Sequence, residues 1–207
     1  MAILHQVAKI SPSKLEMLEV HLGGADWLAG FVGDDIALVA AYRFDDPDGL
    51  VGIETHLVTS DSGHVLQIPL TYRNDPLEGA DHWLLGSMEH SVLGTRWVYD
   101  ACGDPVFVTA LARVIATGGS HAELIVETPD GQVERQPNMT VKGSGSGAWA
   151  ARGTVSVERR GTDTHLDLDG SSLVVRHALD DAAAPPGADV LTGSWDSMSA
   201  ILATLSP

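Results

Sequence analysis

Two clusters of turn-forming residues dictate the layout of the first third of the chain. Asp45-Asp46-Pro47-Asp48-Gly49 and Ser60-Asp61-Ser62-Gly63 separate three apolar runs at residues 36–44 (IALVAAYRF), 51–59 (VGIETHLVT) and 64–72 (HVLQIPLTY). Such clusters reverse the backbone within a few residues. The middle run alternates, with Val51, Ile53, Thr55 and Leu57 on one face and Glu54, His56 and Val58 on the other. Strands joined by loops this short pair in antiparallel order, so the pattern predicts a meander. Pro69 lacks the N–H that a ladder needs and predicts an edge or bulge position for the third strand.

Only two helices are predicted. Ser11-Pro12 reads as a cap followed by a first helical residue, and Leu15, Leu18 and Leu22 recur at helical spacing before Gly23-Gly24. This gives a helix over residues 12–22. Asp104-Pro105 starts the second, whose stripe is Val108, Leu111, Ala112 and Ile115 and whose stop is Gly118-Gly119. Residues 2–8 read as an edge strand, 95–100 as extended, and 80–88 (ADHWLLGSM) as either a short helix or a strand. A hairpin is expected from 121–127 and 132–141. The run 143–147 (GSGSG) has the composition of a flexible hinge or an exposed hairpin tip.

That run divides the chain into an α+β domain, 1–142, and a β-rich extension, 148–207, packed on the same sheet. Strands are expected in the extension at 154–159, 164–169, 172–177, 190–195 and 200–205, the last two forming a hairpin about Asp196-Ser197. Many strands broken by two helices predict an α+β fold, with a curved antiparallel sheet holding both helices on one face.

The charge balance excludes several partners. With 12 Lys+Arg against 28 Asp+Glu, the net charge is −16, and only Lys9, Lys14 and Lys142 are lysines. Such a surface repels nucleic acid and anionic membranes. Cys102 is the only cysteine, so no intrachain disulfide forms. No basic-then-apolar leader and no run of about 20 apolar residues is present, and a cytoplasmic location is expected.

Residues 68–104 concentrate the chemistry. They hold Arg73, His82, Trp83, Glu89, His90, Arg96, Trp97, Tyr99 and Asp100. Aromatic faces beside carboxylates and arginines suit a carbohydrate ligand, because sugar rings stack on aromatics and hydroxyls take charge-assisted hydrogen bonds. The same residues also suit a packed Trp/Tyr core with structural ion pairs. His82, Glu89, His90 and Asp100 include groups able to serve as acid and base in a small sugar- or sugar-phosphate-acting enzyme. His82 and His90 lack the spacing that places two metal ligands on one helical face. Asp163, His165, Asp167 and Asp169 alternate, which describes a solvated sheet face rather than a calcium loop. Neither GxSxG, GxxxxGK[ST] nor GxGxxG after a strand occurs. No metal and no cofactor is therefore expected, and the balance leans away from an enzyme.

The segments SPSKLEML, FDDPDGLVGIETHLVT and IPLTYRNDPLEGADHWLLGSMEHSVLGTRWVYDACGDPV, spread over residues 11–106, resemble the maltokinase N-terminal cap-like family. The likeness is strongest to short actinobacterial members that carry the cap without kinase lobes. The resemblance implies a cystatin-like α+β cap, linked to α-glucan or maltose metabolism. It implies no catalytic residue, since the cap sits on a kinase lobe and does not perform phosphoryl transfer. It leaves two roles for a protein of this kind: an accessory protein binding a carbohydrate or a partner enzyme, or a structural subunit docking on a separate kinase.

Overall fold

The computed structural model describes residues 2–5, 9–31, 35–128, 131–150 and 153–207. The first half of the chain runs β1 (Ala2–His5), β2 (Ile10–Ser11), α1 (Lys14–Gly23), β3 (Ala37–Phe44), β4 (Gly52–Thr59), β5 (Val65–Arg73), β6 (Leu84–His90), β7 (Gly94–Asp100) and α2 (Pro105–Thr117). The second half adds β8 (Leu124–Thr128), β9 (Gly131–Arg135), β10 (Thr140–Gly143), β11 (Ser156–Arg160), β12 (Asp163–Asp167), β13 (Ser172–Arg176), β14 (Ala178–Leu179), β15 (Asp189–Trp195) and β16 (Met198–Ser206). The architecture is α+β with a large β share, as the strand count predicts. Of the expected edge strand at 2–8, β1 forms one edge of a three-stranded sheet, in order β1-β8-β9, and residues 6–8 lie outside the described residues.

The meander is present as β3-β4-β5 inside a larger antiparallel sheet ordered β2-β6-β7-β5-β4-β3, with β14 added along β5. Pro69 lies in an interior strand of this sheet, not at an edge. The reason is local. Gln67 donates its backbone N–H away from β4, to the His177 carbonyl at 2.7 Å. Pro69, two residues on, turns its nitrogen the same way. There β7 has ended, at the pair Leu70–Asp100, and β14 has not begun, since its first pair is Ala178–Leu66. The missing N–H falls in that gap.

The two helices cover opposite faces of this sheet, in place of the single face expected. β4 and β5 are buried on both sides, which demands a cover on each. On one side, Met17, Leu18 and Leu22 of α1 meet Val58, Leu66, Ile68, Leu70 and Val98. On the other, Phe107, Leu111 and Ile115 of α2 meet Ile53 and Leu57. The expected Ser11-Pro12 helix start is displaced by two residues. Ser11 pairs with Glu89 in the sheet, and Ser13 is the cap, closing a capping box with Glu16. Ser13→Ala is expected to cost about 1 kcal/mol in a denaturant melt.

The C-terminal part forms its own antiparallel sheet, ordered β10-β15-β16-β13-β12-β11. Its inner face, with Leu166, Leu173, Leu191 and Leu205, closes over the far side of α2. The second helix is thus sandwiched between two sheets, and residues 140–143 belong to the second of them.

The glycine run beside β10 is not a hinge. It lies against the end of α2 and takes up its last carbonyls. Gly145 donates to the Ile115 carbonyl at 2.9 Å, Gly147 to that of Ala116 at 3.0 Å, and Gly143 to that of Gly119 at 2.9 Å. A Cβ on Gly143 would fall 2.0 Å from the Val114 oxygen, and one on Gly145 would fall 2.2 Å from the Ala116 oxygen. Glycine is required here by close approach, a need that composition does not display. Gly145→Ala is expected to destabilise the protein by roughly 2 kcal/mol, read as a shifted urea midpoint.

Candidate functional site

The densest polar and aromatic constellation lies where the two sheets meet. Arg159, on β11 of the second sheet, reaches across and donates from Nη2 to Oδ2 of Asp100, at the end of β7. Its guanidinium lies 3.8 Å from the ring centre of Trp27 and 5.5 Å from that of Trp83. Cationic planes over indole faces are attracted by the ring quadrupole. The Trp83 indole rests on the Gly103 backbone, where an added Cβ would come 2.1 Å from the ring. Asp100 also accepts from the Cys102 N–H at 3.0 Å, fixing the turn into α2.

Behind this pair runs a buried relay. Trp27 packs edge-on against His177, with ring centres 4.8 Å apart. His177 lies 2.8 Å from the Thr164 hydroxyl through Nε2, and its Nδ1 lies 2.9 Å from the Gln67 carbonyl. Donation from Nδ1–H to that carbonyl leaves Nε2 to accept from Thr164. The Gln67 side chain donates to the carbonyls of Arg176 and Leu202, at 2.8 and 3.0 Å, and accepts from Tyr42 at 3.0 Å. Burial pushes His177 down to about 4, so the imidazole is neutral at pH 7. His21, in the last turn of α1, is lowered by the same cause.

The residues singled out in 68–104 are not assembled into one groove. Arg73 forms a two-pronged pair with Asp104, at 2.7 Å for both bonds, and Asp104 caps α2 through the Val106 N–H. Tyr99 is buried, and its hydroxyl accepts from the Leu77 N–H at 2.8 Å. His82 is exposed beside Trp83, with ring centres 4.9 Å apart. Glu89 and His90 lie at the β6–β7 hairpin. Glu89 accepts from the Thr95 hydroxyl at 2.7 Å, and His90 Nδ1 accepts from the Val92 and Leu93 N–H groups at 3.3 and 3.1 Å. Arg96 and Trp97 are half-buried on β7, with Trp97 opposite Ser87 and Arg73 in the ladders. Of the nine, only Trp83 and Asp100 take part in the sheet junction directly, with His82 at its rim.

Trp27, Arg159 and His177 complete the junction and were not among the residues singled out. No local pattern announces them, because Arg159 and Asp100 are 59 positions apart and meet only when the second sheet docks.

A second buried cluster surrounds Glu54 on the α1 side. Its carboxylate accepts from Arg43 at 2.8 and 3.1 Å and from Lys14, while His56 Nε2 lies 3.3 Å from both Glu54 and the Tyr72 hydroxyl. Burial alone would raise this carboxyl. The charges of His56, Lys14 and Arg43 override it and hold Glu54 well below the usual carboxylate range. Cys102 is buried, and burial drives its thiol well above its ordinary value, the reverse of an activated nucleophile. Among the described residues, no group of three or more His, Cys, Asp or Glu side chains is placed to hold a metal ion. Nor is any helix there long and apolar enough to cross a membrane.

The fold is an α+β scaffold in which charged groups at the junction of the two larger sheets hold elements together. Residues 21–104 match the family model of the maltokinase N-terminal cap domain. The match covers β3 to β7 of the larger sheet, from the end of α1 to the cap of α2, and leaves β1, β2, α2 and β8 to β16 outside it. A comparison with curated proteins finds no match for the chain.

Proposed function

We propose that the chain is a non-catalytic accessory protein of α-glucan or maltose metabolism, built from a maltokinase-type cap closed by its own second sheet. The observation that carries this reading is the Arg159–Asp100 junction. The slot formed by Trp27, Trp83 and Asp100 belongs entirely to the matched cap segment, and a residue from outside that segment fills it. The candidate acid and base groups are held apart: Asp100 under Arg159, Glu89 and His90 at a hairpin, His82 on the outside. That separation favours a binding or docking role over proton transfer, which needs two groups converging on one point. A helix laid across an antiparallel sheet also supports a cystatin-like layout for the cap.

Titration calorimetry with maltose, trehalose and maltooligosaccharides, together with copurification of the tagged chain from its own source, tests the reading. A saturable heat with an α-glucan, or a stoichiometric complex with an enzyme of α-glucan metabolism, is the expected result. The absence of both a heat and a complex would count against it.

A further inference from the structure

The groups around the Arg159 guanidinium match that cation feature by feature. Asp100 is buried and supplies the counter-charge. The Thr164 hydroxyl, also buried, accepts from Nη1 at 3.2 Å. The indoles of Trp27 and Trp83 supply ring faces. A planar, weakly hydrated guanidinium suits indole faces beside a carboxylate better than a compact, strongly hydrated ammonium does. Each tryptophan sits in a short 3-10 turn behind an exposed aspartate, Asp26-Trp27 in residues 26–28 and Asp81-His82-Trp83 in residues 81–83. These carboxylates place negative charge beside both indoles, in a molecule of net charge −16, so the local field favours a basic visitor.

The present occupant comes from a lightly held element. β11 is an edge strand, and among the described residues it pairs only with β12. Ser156, Glu158 and Arg160 are exposed, and only Val157 and Arg159 are partly covered. The Arg159 side chain itself keeps 22% of its surface in solvent. An edge strand with so few buried contacts belongs to the part of a fold that opens at least cost. Asp100, Trp27 and Trp83, by contrast, are set in the larger sheet and the turns packed on it.

We propose that the Trp27–Trp83–Asp100 slot is an arginine-recognition site, held shut by Arg159 as an internal stand-in, which takes an arginine side chain of a partner protein when β11 is displaced. The choice of arginine rests on the lining alone. Only the presence of a partner rests on the accessory reading above.

Arg159→Ala empties the slot. Titration of this ¹⁵N-labelled variant with N-acetylarginine amide, N-acetyllysine amide and free arginine reads the site through the indole N–H signals of Trp27 and Trp83. Saturable shifts with the arginine amide, at an affinity at least about fivefold above that of the lysine amide, are the expected result. The capped compound mimics a residue within a chain, and free arginine carries a carboxylate that the acidic surroundings repel, so it is expected to bind at least about threefold more weakly. The wild-type chain is expected to respond at least about tenfold more weakly than the variant, because the tethered Arg159 competes at high effective concentration. Adding Asp100→Asn is expected to abolish the response. If Arg159→Ala does not fold alone, the arginine amide is expected to fold it, read by far-UV circular dichroism, since a ligand of the native state stabilises that state. Equal responses to the arginine and lysine amides would overturn the ligand class, and a preference for free arginine would overturn a protein partner. An equal response from the wild-type chain would overturn Arg159 as the stand-in. No shift and no folding at tens of millimolar would overturn the site. The calorimetry and copurification described above are read separately, so the accessory reading stands or falls independently of this slot.

Discussion

Arg159→Met is expected to lower the unfolding free energy by roughly 3 kcal/mol, the cost of leaving a buried carboxylate without its cation. The Asp100 side chain is only 5% exposed, and without Arg159 the Cys102 N–H would be its one remaining partner among the bonds described above. Methionine keeps an aliphatic stem but removes the guanidinium that faces Trp27 and Trp83, a loss included in that figure. Adding Asp100→Asn removes the stranded charge. The double variant is therefore expected to be less destabilised than the sum of the singles, with a coupling of at least about 1 kcal/mol. Urea melts of the four proteins at pH 7 measure this. A single-variant loss under about 0.5 kcal/mol, with additive effects, is how a solvated surface pair behaves and would contradict a structural junction.

Acid is expected to weaken the same junction. His177 is depressed from 6.5 to about 4 in the folded state, chiefly by burial, with Asp100 opposing and Arg159 and His21 adding to the effect. The unfolded chain binds this proton first, so stability rises with pH across the interval between the two values. The contribution is fully present above pH 6.5 and is lost as the pH falls from there to about 4. A shift of this size corresponds to a loss on the order of 3 kcal/mol. His21 is lowered too and pulls in the same direction. Glu54, held below 4.5, contributes stability that is lost only at lower pH, which separates the two effects. Urea midpoints between pH 7 and pH 4 give the slope. His177→Gln is expected to flatten it even if that variant is less stable throughout, and an unchanged slope would remove His177 as the cause.

The parts of the fold legible in the sequence are those written locally. The turn clusters at 45–49 and 60–63 place β3, β4 and β5 within a residue or so of their observed ends, and Asp104-Pro105 and Gly118 bracket α2. Alternation reveals the strands of the second sheet, from Ser156 to Ser206. Features that depend on a distant neighbour were not legible. Pro69 reads as an edge or bulge residue because nothing nearby shows that β7 stops one residue short of it. The run 143–147 reads as a hinge or an exposed hairpin tip because composition does not show the helix end lying against Gly143 and Gly145. The apolar spacing of α1 and α2 shows that each packs against a sheet, but not that the two lie on opposite faces of one sheet, nor that α2 is covered on its far side as well.

The same limit applies to the site. Of the residues that aromatic and charged density singles out in 68–104, Asp100 and Trp83 lie at the junction. Tyr99 and Arg73, equally prominent in sequence, hold the scaffold together through Leu77 and Asp104. Residue type alone does not distinguish a side chain facing a partner sheet from one securing its own loop.

A cap that only binds or docks, as proposed above, performs no phosphoryl transfer. Phosphorus NMR of the purified chain with ATP, magnesium and maltose tests that most directly. The three ATP resonances are expected to persist unchanged over hours. A growing sugar-phosphate signal at the expense of the γ-phosphate, abolished by no removable contaminant, would contradict it.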